Sequence, residues 1–224
     1  SHIFSALTSG VGNLNATENE ENSYRVFSYL TFLCFWIYSF SSIALFVIFN
    51  PFIKLWIGKN YLLQPSVVLS IVLIFYLIGM GRPALIYRDT LGLFKFIKLK
   101  PVAEVIINIV ASLILINKYN INGVFLGTII SFLTTSFWIE PYIVYRKKFV
   151  SHKLRKYYIK IAKYYLVTIL TGYLTYKISQ LITVSDNISF MKLLLVLVFI
   201  PNLIFILIFH KTNEFKYFKD QIVI

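Results

Sequence analysis

Long apolar blocks separated by short polar segments make up most of the chain. Six blocks approach or exceed the roughly 20 residues that a helix needs to cross the hydrocarbon core of a bilayer. They comprise residues 27–49, 66–87, 101–116, 121–145, 161–182 and 188–209. The pattern predicts an all-α fold, a polytopic membrane helical bundle with six full transmembrane helices.

The segments between the blocks predict how the chain is organised. Residues 1–14 resemble the last turns of a truncated transmembrane helix, so we expect the chain to be a piece of a longer protein. A four-helix part (27–145), a basic cytoplasmic loop (146–160), two additional transmembrane helices (161–209) and a cytoplasmic tail (210–224) follow. Pro51 is expected to stop the first span, and Gly79, Gly81 and Pro83 predict a kink or local unwinding of the second.

Composition and charge agree with a membrane location. Hydrophobic residues make up 58% of the chain and charged residues only 14%, too few to cover a soluble domain. The net charge of +13 does not indicate nucleic-acid binding, because the basic residues lie between apolar blocks rather than in one patch. One set of alternate loops holds fifteen Lys and Arg residues and the other set four. The positive-inside rule therefore predicts a cytoplasmic C-terminus.

The side chains that usually perform catalysis are sparse. The three histidines, His2, His152 and His210, have no metal-ligand spacing and lie outside the predicted spans. The chain has no glycine-rich phosphate loop, and its single cysteine, Cys34, cannot form a disulfide within the chain. We expect neither an enzyme nor a cofactor or metal site.

Polar residues inside the apolar blocks are the candidates for function, because a charge in a membrane is costly unless it faces a wet cavity or a partner. Glu104 and Asn108 lie four residues apart on one helix face, where they could line an ion or proton path. Arg82 could bind an anionic group such as pyrophosphate or reach the headgroups, and Lys177 could face the lumen or the interface. Glu140 is expected to pair with a basic residue.

Gly123 and Gly127 form a small-xxx-small pair, which predicts close helix packing. The short turn at residues 117–120 predicts that the third and fourth spans are antiparallel neighbours.

The order of several short motifs resembles the C-terminal half of the Wzx-like polysaccharide flippases, which export O-antigen and capsule repeat units and belong to the multidrug/oligosaccharidyl-lipid/polysaccharide exporter superfamily. The motifs are SGVGN at 9–13 with an acidic segment and Arg25 after it, PFIKLWIGKNY at 51–61, GLFK at 92–95, KP at 100–101, Asn108, and NGVFLGT at 122–128. The resemblance covers residues 1–145 well and the last two spans only by pattern.

The resemblance implies one lobe of a two-lobed exporter in a bacterial cytoplasmic membrane. Its substrate would be an undecaprenyl-pyrophosphate-linked oligosaccharide, moved by alternating access and coupled to an ion gradient. Implied partners are membrane lipids, a polysaccharide polymerase and a chain-length regulator, and no nucleic acid. A multidrug exporter of the same superfamily, a polymerase or acyltransferase enzyme and a membrane scaffold are the alternatives. More cavity carboxylates would favour a drug exporter, and a large outer loop would favour an enzyme.

Overall fold

A computed structural model of the chain describes residues 2–222 and is all-helical over that range, with no strand. Side chains of residues 2–7, Ala16 and Ile222 are not described. The helices of this range are α1 (His2–Thr17), α2 (Glu20–Trp56), α3 (Pro65–Thr90), α4 (Lys100–Tyr119), α5 (Ile121–Thr134), α6 (Ser136–Lys147), α7 (Leu154–Ser179), α8 (Asn187–Phe209) and α9 (Asn213–Ile222).

Helices α2 and α3 form the centre of the bundle and pack against each other. α7 and α8 contact α2 on one side, while α5 and α6 contact α3 on the other. α4 packs mainly on α5, as the short predicted turn indicated, and contributes no buried residue. α4 therefore forms an outer wall of the bundle.

The helix starts follow local sequence signals. Asn19 caps α2 by accepting a hydrogen bond from the Asn22 backbone N–H. Pro65 occupies the first turn of α3, where its missing N–H costs no intrahelical bond. Asp186 and Ser189 form a reciprocal capping box at α8. These signals are local, so the sequence alone places these helix starts.

Aromatic side chains fill the interior between α2, α3, α7 and α8. The rings of Phe35 and Tyr164 stack with their centroids 4.3 Å apart. Phe27 packs edge-on against Tyr87 at 5.1 Å. Several aromatics of this cluster are almost fully buried, among them Phe27, Phe35, Tyr87, Phe149, Phe205 and Phe209. Large aromatic side chains thus supply much of the packing between these helices.

Five segments are long and apolar enough to cross a bilayer, with α5 and α6 counted as one. Many large apolar side chains on these helices are exposed, as expected for a multi-pass membrane protein facing lipid. α7, the predicted fifth span, is 26 residues long but is not among the five. Its lysines, tyrosines and threonines lower its hydropathy, and the buried ones, such as Thr168 and Thr171, face other helices.

Glycines mark two close helix contacts. A Cβ on Gly79 would lie 2.1 Å from the Tyr38 ring, so the glycine lets α2 and α3 approach. α3 continues without interruption through Gly79, Gly81 and Pro83, so the predicted local unwinding is wrong. Close packing on α2 and α5 keeps this part of α3 helical. A Cβ on Gly123 or Gly127 would collide with α4, which confirms the predicted close packing there.

Several predicted boundaries are also wrong. α2 continues past Pro51 to Trp56, because a proline near the helix end removes only one backbone hydrogen bond. The helix ends before Gly58, which has a φ of 102° and forms the turn. α1 extends to Thr17 rather than residue 14, and the basic loop shortens to residues 148–153. The tail contains α9, whose Phe215 and Phe218 pack against the core. Ser1, Val223 and Ile224 lie outside the described residues.

The predicted fourth span is broken. α5 ends at Thr134 and α6 begins at Ser136, with Thr135 between them at φ −119° and ψ −82°. The Thr135 hydroxyl donates a 2.6 Å hydrogen bond to the Ser131 carbonyl at the break. Residues 27–147 therefore contain most of α2 and all of α3 to α6. Because α5 and α6 together form one candidate span, this part still holds four candidate spans, as expected for residues 27–145.

Candidate functional site

A cavity of about 400 Å³ lies between α3, α4, α5 and α6. Its wall combines apolar side chains with a polar group of six residues contributed by three helices. The apolar residues are Ile74, Leu77, Ile78, Val105, Ile109, Ile129 and Phe132, and the polar residues are Lys100, Glu104, Asn108, Thr128, Ser131 and Ser136. The predicted pair Glu104 and Asn108 therefore lines the same cavity.

Glu104 connects α4 to the break between α5 and α6. The Ser136 hydroxyl lies 3.1 Å from each Glu104 carboxylate oxygen and donates to that group. The Lys100 ammonium, one turn earlier on α4, lies 3.0 Å from Glu104 Oε2. The Glu104 side chain is 29% exposed, so water that enters the cavity can reach its carboxylate. The break at Thr135 places Ser136 where it can hydrogen-bond to Glu104.

Asn108 joins α4 to α5 one turn further along α4. Its Nδ2 donates to the Thr128 hydroxyl at 3.1 Å and to the Ser131 hydroxyl at 3.4 Å. Its Oδ1 accepts a hydrogen bond from Ser112. The polar side of the cavity is therefore a continuous set of hydroxyl, amide and carboxylate groups along the α4–α5 contact.

Lys100 links the cavity to a buried ion-pair network. Its ammonium lies 3.0 Å from Glu140 Oε1, and the Arg88 guanidinium lies 2.6 Å from the same oxygen. Arg88 also pairs with Asp89 at 2.5 Å. Glu140 is 3% exposed, so its charge is stabilised by the two cations rather than by water. The interpretation of Glu140 as an ion-pair partner is confirmed.

The formal charge of this network is −1, because two cations face three carboxylates: Arg88 and Lys100 against Asp89, Glu104 and Glu140. Glu140 Oε2 accepts no hydrogen bond from the described side chains. Lys100 was not singled out from the sequence as a site residue. Its i,i+4 spacing to Glu104 is the local signal that would have found it.

The other two candidates lie elsewhere. Arg82 hydrogen-bonds to Tyr38 of α2, on the α3 face that also carries Gly79. Lys177 is exposed on α7, with its ammonium 5.7 Å from the Tyr173 ring centroid. The structure thus brings Glu104 and Asn108 together and leaves Arg82 and Lys177 outside this cavity wall.

The chemistry available in the cavity is hydrogen bonding and charge pairing. Among the residues that the structure describes, no group of three or more His, Cys, Asp and Glu side chains could hold a metal ion. The cavity can therefore bind polar or charged groups within apolar helices. Comparisons with protein-family models, with curated proteins and with solved structures find no match.

Proposed function

We propose that this chain is the C-terminal lobe of a membrane transporter that flips undecaprenyl-pyrophosphate-linked oligosaccharide repeat units across a bacterial cytoplasmic membrane for surface polysaccharide synthesis. The observation that carries the proposal is the cavity between α3 and α6, with its charged and hydroxyl groups lying among apolar helices. Sugars and phosphates cannot be solvated by hydrocarbon, so a carrier must offer them such polar groups.

The geometry of the wall fits a lipid-linked cargo. Val105 and Ile109 line the cavity from α4 yet are 56% and 53% exposed, because α4 is the outer wall of the bundle. An apolar chain can lie along this outer face while a polar headgroup occupies the interior. The motif order in residues 1–145 supports the same class of substrate.

The proposal includes coupling to an ion gradient through Glu104. Glu104 is partly exposed, and its cation Lys100 is also paired with Glu140. Glu104 can therefore release Lys100 and bind a cation or proton in its place, while Lys100 stays paired with Glu140. The break at Thr135 gives α5 and α6 a point of bending beside this group. Alternating access requires such movable elements.

The proposed topology has six spans, with α7 as the fifth, and a cytoplasmic C-terminus. The excess of Lys and Arg in one set of loops supports it. Cysteine introduced at Lys54 should react with an impermeant reagent from outside, and cysteine at Lys153 only after the membrane is opened. The reverse labelling would overturn this topology.

Transport is tested with the protein that contains this chain, reconstituted in vesicles with a fluorescent polyprenyl-pyrophosphate-linked oligosaccharide. The assay measures how much of the fluorescence becomes inaccessible to an external quencher. Transport should be fast with the unmodified chain and strongly reduced in Glu104→Gln. Glu214→Gln, which removes a carboxylate outside the cavity, is the matched control and should transport normally.

Two results would contradict the proposal. If the lipid-linked oligosaccharide does not move but ethidium is exported, the protein is a drug exporter instead. If Glu104→Gln transports as well as the unmodified chain, Glu104 has no part in the coupling.

A further inference from the structure

The outer face of α6 carries an aromatic and a basic side chain in sequence along the helix. Trp138, Tyr142 and Arg146 follow one another at intervals of four residues, so they lie on one face. Trp138 is 52% exposed and Tyr142 48%, and Arg146 donates a 3.3 Å hydrogen bond to the Tyr142 hydroxyl. The face runs from the apolar part of the helix to its basic end.

The turn between α3 and α4 lies beside this face, on the neighbouring row of α6 side chains that includes Ile143 and Lys147. A 3-10 turn at Leu93–Phe96 packs on α6 through Leu93 and Ile97, which contact Ile143. The turn leaves Phe96 55% exposed, with the Lys147 ammonium 4.2 Å from its ring centroid. We call Trp138, Tyr142, Arg146, Phe96 and Lys147 the aromatic–basic surface.

The charge of the aromatic–basic surface is not neutralised by the protein. Of the carboxylates at this end of the bundle, Asp89, Glu104 and Glu140 are paired with Arg88 or Lys100, and Glu21 lies 3.2 Å from His152. Glu20 accepts a hydrogen bond from the Ser151 backbone N–H. Within residues 2–222, Arg146 and Lys147 form no ion pair with a carboxylate. Exposed Lys95 and Lys98 on the neighbouring turn add two more positive charges.

We propose that the aromatic–basic surface binds the headgroup of an anionic phospholipid of the surrounding bilayer. The Arg146 guanidinium matches a phosphate through two parallel N–H donors, and Lys147 adds a second charge. Trp138 and Tyr142 supply the amphipathic rings that favour the membrane interface, and Phe96 adds an apolar ring for contact with the upper acyl chains. The Lys147 ammonium lies over the Phe96 ring, and the Arg146 guanidinium is held by the Tyr142 hydroxyl.

A phospholipid fits this surface better than a free phosphate ion does. A free ion would use the cations but would leave the three exposed aromatic side chains uncovered. A zwitterionic lipid would place its own cation beside Arg146 and Lys147. The surface therefore selects for a net negative headgroup joined to apolar chains, independently of what the cavity transports.

The fluorescence of Trp138 tests the site in the full chain. Trp36→Phe and Trp56→Phe leave Trp138 as the reporter in vesicles that contain phosphatidylglycerol or phosphatidylcholine brominated on the acyl chains. Bromine quenches tryptophan on contact, so competition between the two lipids gives their relative affinity at this surface. Phosphatidylglycerol should be preferred by about 25-fold, because each of the two basic residues near an anionic headgroup contributes about fivefold.

Arg146→Gln/Lys147→Gln should remove most of this preference. Lys59→Gln/Lys118→Gln is the matched control, since it removes two exposed charges at the opposite end of the bundle, including one that lies over Tyr119. The control should keep the preference. The proposal would be overturned if both lipids quench Trp138 equally in the chain with an unmodified surface. It would also be overturned if the two double variants lose the preference for phosphatidylglycerol to the same extent.

The Trp36 substitution removes a hydrogen bond to Asn202, so a second measurement avoids it. Native mass spectrometry of the chain with all its tryptophans counts the phosphatidylglycerol molecules that remain bound after release from micelles. Arg146→Gln/Lys147→Gln should retain fewer than the unmodified chain and the control. Equal retention in all three would also reject the site.

Discussion

Replacing Glu140 with glutamine removes the carboxylate that Arg88 and Lys100 share, while the shape of the side chain is preserved. The contacts of Arg88 and Lys100 with Glu140 Oε1, at 2.6 and 3.0 Å, lose their negative acceptor at a position that is 3% exposed. The glutamine amide oxygen still accepts hydrogen bonds there, but without the charge. Breaking a buried pair costs about 3–5 kcal/mol when the remaining charge has no other partner. Here Arg88 keeps Asp89 and Lys100 keeps Glu104. We therefore expect a smaller loss, about 2 kcal/mol, in the free energy of unfolding.

The loss is measured by titrating the chain in micelles with a denaturing detergent and following helix content. Glu214→Gln is the matched control, because Glu214 and its partner Lys160 are 19% and 27% exposed and that pair should contribute about 1 kcal/mol or less. A loss below about 1 kcal/mol for Glu140→Gln, or a loss equal to that of Glu214→Gln, would refute the argument that the buried network stabilises the α3–α4–α6 end.

Two further predictions use the same unfolding measurement. Gly127→Ala should destabilise by about 1–3 kcal/mol, because the new Cβ would lie 2.2 Å from Ser112 Oγ. Gly172→Ala, whose Cβ would meet no atom closer than 3.4 Å, should be neutral or stabilising by up to about 1 kcal/mol, and equal effects at the two sites would contradict the packing argument. Burial of Glu214 opposes its ionisation, but the hydrogen bond and charge of Lys160 outweigh it and lower its pKa. The stabilisation is thus present at neutral pH and lost as the pH falls through the lowered pKa, so acid should destabilise the unmodified chain more than Glu214→Gln. An identical acid dependence in the two chains would refute it.

The sequence predicted the helical class and most helix positions because these depend on local properties. A run of about 20 apolar residues must satisfy its backbone hydrogen bonds internally, and a helix does so within the segment. The close contact at Gly123 and Gly127 and the shared face of Glu104 and Asn108 follow from helical periodicity alone. None of these features required knowledge of which helices are neighbours.

Local sequence rules predicted helix breaks wrongly where contacts with other helices determine whether the backbone stays helical. Pro51 and the glycines of α3 are helix breakers by propensity, but packing and the apolar surroundings keep both helices continuous. The break at Thr135 could not be predicted from a helix-breaking residue, because no proline or glycine lies at that position. Ser136, next to the break, binds Glu104 of a different helix, so the feature belongs to the arrangement of α4 against α6.

The sequence by itself determined that this chain is an apolar helical bundle with only a few charges inside its apolar segments. Only the tertiary structure decided how those charges are used: Glu104 opens to a cavity, Glu140 is buried between Arg88 and Lys100, and Arg82 faces α2. The physical reason is that helix formation is a local equilibrium, whereas the energy of a buried charge depends on atoms 3 Å away that come from distant parts of the chain.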